Sequence, residues 1–251
     1  ADIALGTKDY VHGAGDNGMM FGYACKDTKE LLPLAMVILQ KLSMAYDELR
    51  KKDSRFLADG KAQITGIYDE DNKLIKIKTF TICYQNTEND RASTDKIIED
   101  IARNICNEYG IEVLEFLINP TGKFKIGGFL GDAGLTGRKI VVDSYQSFAN
   151  VGGGAFSGKD LTKVDRSGAY KAREIAKKIV SSNEDYTWCE VQLSYAIGKS
   201  RPLAIYIKTN LGDVNASDEL YDECDVKNML IELRNKNICF EEKARFGHFK
   251  D

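Results

Sequence analysis

The residues with the most chemical promise lie in glycine-rich stretches. Gly127, Gly128, Gly131, Gly134 and Gly137 place five glycines in eleven residues, with Asp132, Arg138 and Lys139 among or just after them. Ordering so many glycines costs backbone entropy, and close approach of a ligand to the main chain is a return that offsets it. Lys159, Lys163, Asp165 and Arg166 follow shortly. Cations delivered by glycine loops, with carboxylates beside them, suit a polyphosphate and its divalent metal. A plain solvated loop is the bland alternative.

Two further stretches imitate phosphate motifs without their context. Gly13-Ala14-Gly15-Asp16-Asn17-Gly18 matches G-x-G-x-x-G. A dinucleotide site needs a strand before it, however, and Thr7-Lys8-Asp9-Tyr10-Val11-His12 is polar without strand character. The carboxylate of Asp16 would also stand where a pyrophosphate must approach. What remains is a tight turn holding Asp16 toward a site, or an ordinary surface turn. Gly153-Gly154-Ala155-Phe156-Ser157-Gly158-Lys159 matches the first seven places of a P-loop. The eighth place is Asp160, where a hydroxyl should hold magnesium, so a Walker loop is excluded. A glycine loop that delivers Lys159 to phosphate by another design survives.

The elements that must position these groups are legible from periodicity. Leu31, Ala35, Ile38, Leu42, Ala45 and Leu49 predict a helix over 29–52. Strands at 63–68 and 74–84, joined by Glu70-Asp71-Asn72-Lys73, predict a hairpin. A helix over 94–109, with Ile97, Ile98, Ile101, Ile105 and Cys106 on its face, and a strand over 113–118 follow. Past Asn119-Pro120-Thr121-Gly122 the composition shifts. A short strand at 139–143, a helix at 166–181, paired strands at 188–197 and 203–208 and a last helix at 226–234 are expected. Two units that each mix strands with helices predict an α+β chain, divided into domains 1–122 and 123–251. No internal sequence repeat is visible, so any similarity between the two is architectural.

Composition narrows the classes. The chain has 251 residues, with 43% hydrophobic and 29% charged, which is globular rather than disordered. A net charge of −3 offers no cationic field for nucleic acid. Six cysteines (Cys25, Cys83, Cys106, Cys189, Cys224, Cys239) show no C-x-x-C pair. Zinc knuckles and disulfide scaffolds are therefore not expected, and free thiols in a reducing compartment are. The chain opens without a basic, apolar leader and has no membrane-length run, so a soluble cytoplasmic protein is expected.

The stretch from Gly13 to Ala24 closely resembles the GAGDQGxMFGYA signature of S-adenosylmethionine synthetases (methionine adenosyltransferases). Residues 119–143 (NPTGKFKIGGFLGDAGLTGRKIVVD) and 152–170 (GGGAFSGKDLTKVDRSGAY) resemble the two other long signatures of that family. Residues 190–198 (EVQLSYAIG) and Phe246-Gly247-His248-Phe249 match as well. The resemblance runs through essentially the whole chain in order. It implies two similar domains, each a small mixed sheet with helices on one face. It also implies formation of S-adenosylmethionine from ATP and methionine: the methionine sulfur attacks C5′ of the ribose and expels tripolyphosphate, which is then hydrolysed to pyrophosphate and phosphate. The leaving group gains charge as the C–O bond breaks, so fixed cations and metal are the expected remedy.

Carried over position by position, the resemblance makes Asp59 and Lys61 ATP contacts, and has Lys123 and Phe124 border the nucleotide with Phe124 stacking on adenine. Asp132 would orient the substrates near the methionine amine, and Arg138 and Lys139 would hold phosphates. Ala155 and Lys159 belong to the loop on the triphosphate, Lys163 lies by methionine and phosphate, and Asp165 matches a magnesium ligand. Asp16 matches an active-site carboxylate. Two Mg2+ ions and K+ are implied as cofactors. Bland roles exist too: Asp165 as a helix cap, Lys61 as an exposed strand-end charge, Phe124 as core. His12 and His248 fall outside the family's catalytic motifs and read as structural.

Departures from the family pattern matter. The amino-terminal third, with its His-Pro-Asp-Lys segment, has no counterpart here. Phe129 and Leu161 stand where proline is usual, and Cys83-Tyr84-Gln85-Asn86 replaces a Ser-Thr-Gln-His run. The expectation is a split synthetase: a second polypeptide brings the His-Pro-Asp-Lys domain to a dimeric core of this chain. The alternative is a non-catalytic subunit that binds nucleotide or polyphosphate. An unrelated phosphotransferase would need a hydroxyl after Lys159 or a separate base.

Overall fold

The structure is a computed structural model that describes residues 13–87 and 89–250. The expectations placed on the opening of the chain, on Thr7-Lys8-Asp9-Tyr10-Val11 and on His12 lie outside the described residues. In chain order the elements begin with β1 (Gly18–Cys25), α1 (Leu34–Lys52), β2 (Phe56–Tyr68), β3 (Leu74–Asn86) and α2 (Arg91–Glu108). Then come β4 (Glu112–Val113), β5 (Phe116–Ile118), α3 (Gly128–Gly131), α4 (Ile140–Asp143) and α5 (Val164–Ser182). The last are β6 (Trp188–Tyr195), β7 (Ala204–Thr209), β8 (Gly212–Val214), α6 (Asp218–Glu223), α7 (Val226–Asn235) and α8 (Phe240–Ala244). They form two compact units, Leu34–Gly134 and a larger one made of Ala1–Pro33 with Leu135–Asp251. The α+β class holds in both. No described helix is long and apolar enough to cross a membrane.

In the smaller unit β2 and β3 form the expected hairpin. Its turn is fixed by the Asp69 carboxylate, which accepts from the N–H groups of Asp71 and Lys73, and by Asn72 in the left-handed region. Register shifts at Thr65/Gly66 and Ile67/Tyr68 let Leu74, Ile77 and Phe80 all face inward. The helix α2 is the crossover that brings β4 and β5 parallel to β3, which makes this sheet mixed. Helix α1 starts at Leu34 rather than near residue 29. Leu31 sits at φ 54°, outside helical space, and Pro33 restricts the residue before it. The side chain of Asn119 continues the sheet by itself, accepting from Tyr84 N–H (3.0 Å) and donating to Tyr84 C=O (3.1 Å).

The larger unit's sheet has the order β1-β6-β7-β8 and is antiparallel throughout, where a mixed sheet is expected. Short connections join β6, β7 and β8 as successive hairpins, which forces the antiparallel sense. Strand β1, not anticipated from sequence, pairs with β6 from Gly18↔Tyr195 to Cys25↔Trp188. Helix α5 lies on β1 and β6 through Ala169, Ala172, Ile175 and Ala176, all buried. Buried Lys171 donates to Glu232 (2.6 Å) and Glu223 (3.1 Å), tying α5 to α7 and α6. Residues 139–143, expected as a strand, make one helical turn instead. Asp143 N–H donates to Lys139 C=O and Ser144 N–H to Ile140 C=O, satisfying the backbone locally despite three β-branched residues. The helix at 226–235 is not the last, since α8 follows it.

Helix α5 crosses β1 backbone to backbone. A methyl group at Gly22 would fall 2.0 Å from the Ala172 carbonyl carbon and 2.2 Å from Arg173 N. Gly22→Ala is therefore expected to destabilise the fold by about 2–4 kcal/mol, as overpacking against an immobile backbone does. Denaturant unfolding checks this; a loss below about 0.5 kcal/mol would mean that the helix yields freely.

Candidate functional site

In the larger unit the first glycine signature is a clamped turn. Ala14 exchanges backbone hydrogen bonds with Gly198 and Lys199, and Asn17 Oδ1 accepts from Ile197 N–H (2.8 Å). The exposed Asp16 carboxylate accepts from Asn17 N–H. The turn leads into β1, whose first residue, Gly18, lies beside Asp165: a methyl there would sit 3.8 Å from Asp165 Oδ1.

Asp165 comes from the first turn of α5, which starts at Val164 after Lys163 with no side-chain cap. Its carboxylate does not cap the helix; Oδ2 accepts from Lys159 Nζ at 2.6 Å, in a part-buried ion pair. The glycine loop wraps this carboxylate so tightly that a methyl at Gly154 would fall 2.2 Å from Asp165 Cγ. Only glycine fits there. Gly152 is similarly pressed on Met19 C=O. The loop is anchored by buried Phe156, packed edge-on against Phe249 at 5.6 Å. It is also held by Arg166, whose guanidinium donates to Lys159 C=O (2.6 Å) and lies over the Phe240 ring at 3.9 Å.

The carboxylate of Asp160 is turned onto Thr162, whose hydroxyl and backbone N–H hold it below the usual carboxylate range. Lys163 is exposed and donates to Thr162 Oγ1. Arg138 and Lys139 are exposed just before α4, and neighbouring Gly137 lies against Ala155, with 3.0 Å between an added methyl and Ala155 Cβ. The structure thus brings Lys159, Asp165 and Ala155 together and runs the Arg138 segment past them. Lys163 is turned to its own loop.

The smaller unit holds the remaining expected residues. Asp59 Oδ2 accepts from Gly128 N–H (3.1 Å), and Gln85 joins the two stretches, accepting from Asp59 N–H and donating to Lys125 C=O. Asn86 N–H donates to Phe124 C=O, so residues 124–128 run along the ends of β2 and β3. Phe124 is half-buried and Lys123 exposed. Lys61 is exposed two residues beyond Asp59, opposite Cys83. Asp132 is exposed and accepts from Gly134 N–H, at the end of α3.

Sequence reasoning missed Gln85 as the brace of Asp59 and Arg166 as the brace of the glycine loop. Gln85 sits in the run already marked as a departure, and Arg166 is next to Asp165, but neither spacing reveals those contacts.

As a candidate metal ligand, Asp165 is a single carboxylate walled by glycine backbone. Among the described residues no three His, Cys, Asp or Glu side chains gather into a metal cage. That donor set fits magnesium carried with a polyphosphate, because such an ion keeps waters and takes only one or two protein carboxylates.

Gly153 and Gly154 separate two meanings of a glycine loop. Nothing lies within 4 Å of a methyl at Gly153, whereas one at Gly154 displaces Asp165. Gly153→Ala is expected to leave thermal unfolding within about 0.5 kcal/mol of the parent, and Gly154→Ala to cost about 1–3 kcal/mol. Equal behaviour of the two variants would mean that the loop does not grip the carboxylate.

Residues 11–124 match the family model described as S-adenosylmethionine synthetase, central domain. Residues 126–251 match the one described as S-adenosylmethionine synthetase, C-terminal domain. With the glycine loop, its lysine and the helix-borne aspartate already in place, the chain belongs to the S-adenosylmethionine synthetase family.

Proposed function

We propose that this chain supplies the ATP- and methionine-binding groups of a methionine adenosyltransferase whose His-Pro-Asp-Lys domain lies outside these 251 residues. The reaction joins ATP, methionine and water into S-adenosylmethionine, pyrophosphate and phosphate. The observation that carries the reading is the Lys159–Asp165 pair, held at 2.6 Å by a glycine loop in which a side chain at Gly154 would displace the carboxylate. An ammonium and a carboxylate so placed suit a leaving triphosphate and its magnesium.

In this reading Lys159, Arg138 and Lys139 meet the charge that develops on tripolyphosphate, with Ala155 leaving room for it. Asp165 would hold magnesium, which when bound screens the phosphate charge. Asp16 is an active-site carboxylate, Lys163 lies by methionine and the phosphates, and Asp132 orients the substrates near the methionine amine. Asp59, Lys61, Lys123 and Phe124 hold the nucleoside end. Potassium is carried by the family resemblance alone. All six cysteines are free thiols, which supports a reducing compartment such as the cytoplasm. A dimeric core fits the solvent-facing side of the larger unit's sheet, where Met19 and Tyr206 are 51% and 44% exposed.

The test is an assay of the 251-residue chain alone and mixed with a chain carrying the His-Pro-Asp-Lys domain. Product is expected only in the mixture, and Lys159→Glu should lower kcat/KM there by roughly 100- to 1,000-fold. Full turnover by the 251-residue chain alone would remove the need for a His-Pro-Asp-Lys domain. Nucleotide binding without turnover in any mixture would favour a regulatory subunit.

A further inference from the structure

The stretch after α8 holds a buried imidazole, His248. Phe249 stacks on Tyr145 with ring centres 4.6 Å apart, and His248, 0% exposed, donates its backbone N–H to Asp143 C=O at 3.0 Å. Its ring bridges two partners: Nδ1 is 2.8 Å from the Tyr170 hydroxyl, and Nε2 is 3.3 Å from Ser157 Oγ.

One placement of the protons gives each of these groups a partner. Arg166 Nε–H donates to the Tyr170 oxygen at 3.1 Å, leaving Tyr170 free to give its own proton to Nδ1. With Nδ1 accepting, the neutral ring carries its proton on Nε2, aimed at Ser157. Arg166 also donates to Lys159 C=O at 2.6 Å. The polar chain Arg166–Tyr170–His248–Ser157 therefore starts and ends on one short piece of backbone, residues 157–159. A core residue needed only for packing could be apolar; a fully partnered buried polar chain instead fixes a geometry.

We propose that His248 is a positioning residue for the glycine loop: its Nε2–H, oriented by Tyr170, holds Ser157 and so fixes where Lys159 presents its ammonium. The role of Lys159 rests on the function proposed above, whereas the hold on the loop does not.

The charged and titratable groups around the ring are Arg166 and Tyr170 on α5, Lys243 on α8, Lys250 in the tail, and Asp143 at the end of α4. Burial, then Arg166, Lys250 and Lys243, pull the imidazole down to about 4 from an ordinary value of 6.5. A lowered value means that the folded ring stays neutral while the unfolded one takes a proton. The stabilisation from this neutral contact is thus complete above pH 6.5 and drains away as pH falls toward 4.

The test uses the full chain with four variants. His248→Asn keeps an acceptor for Tyr170 and loses the donor to Ser157. Ser157→Ala removes the other end of that bond, the double variant removes both, and His248→Gln restores a donor toward Ser157. The readouts are the rate of trypsin cleavage after Lys159 and Lys163, and KM for ATP with the His-Pro-Asp-Lys domain present. His248→Asn and Ser157→Ala should each raise both by about tenfold, the double variant no further, and His248→Gln should recover most of the effect. Kcat should change less than KM. The gap in unfolding midpoint between the parent and His248→Gln should narrow from pH 6.5 toward 4.

Parent-like loop cleavage and KM in both His248→Asn and Ser157→Ala would overturn the proposal. So would faster cleavage spread evenly over α5 and β6, which marks a packing role. Faster loop cleavage in a protein that, parent included, never turns over ATP would support the hold on the loop while removing the function proposed above.

Discussion

The chemistry of the larger unit hangs from one contact, the backbone of α5 against that of β1 at Gly22 and Ala172. Once that crossing is made, the helix is a rigid ruler rising about 1.5 Å per residue, so Asp165 is placed about 10 Å back along it. Arg173 prevents sliding by donating to Tyr23 C=O (2.8 Å), Leu31 C=O (2.9 Å) and Glu30 C=O (2.8 Å) beyond the strand's end. Gly168 allows a second close passage over Met20, 3.2 Å from an added methyl to Met20 Cγ. The carboxylate then emerges at the start of β1, where the glycine loop can close over it.

The cations that crowd the sequence around this helix divide into different physical roles. Lys159 is a flexible point charge whose ammonium, among the described residues, pairs with a carboxylate it can trade for a phosphate. Arg166 has its planar donors spent on Lys159 C=O and the Tyr170 hydroxyl, and its face on Phe240. It supports the loop rather than facing a ligand. Pairing Lys159 with Asp165 also relieves the repulsion that clustered lysines and arginines would otherwise impose on the loop.

Much of the fold was legible in the residues. The apolar spacing of α2 and α5 and the Asp69–Lys73 turn of the hairpin lie in local pattern, so both helices and the β2–β3 pair form close to where periodicity puts them. Strand β1 was hidden for a physical reason. Its glycines, which make the stretch look like a loop, are there because a helix backbone lies on one of them. Ile140-Val141-Val142 misled in the other direction, since β-branched residues favour a strand only where a neighbouring strand offers partners. In the site, residue types put Lys159 and Asp165 forward, and the family resemblance added Ala155. The distance between them depended on the path of a seven-residue loop that no periodicity encodes. Gln85 and His248 act through contacts distant in sequence, and Arg166 through the path of that same loop, so none was visible in the spacing.

The division into sequence domains and the division into packed units differ by the strand β1 and by the short helix α3, which the C-terminal match contains and the smaller unit packs. The central-domain match, residues 11–124, contains Gly22, and the C-terminal match, residues 126–251, contains Ala172. Yet β1 is paired along its whole length with β6 and lies under α5. Neither sequence domain therefore holds both sides of the contact that sets Asp165. Without β1, the small residues Ala169, Ala172 and Ala176 would lose the surface they are shaped for, since only side chains that small admit a strand so near the helix axis. The first glycine signature and the glycine loop are thus parts of one mechanical device: the former supplies the strand on which the helix rests, and the latter closes on the carboxylate that the helix delivers.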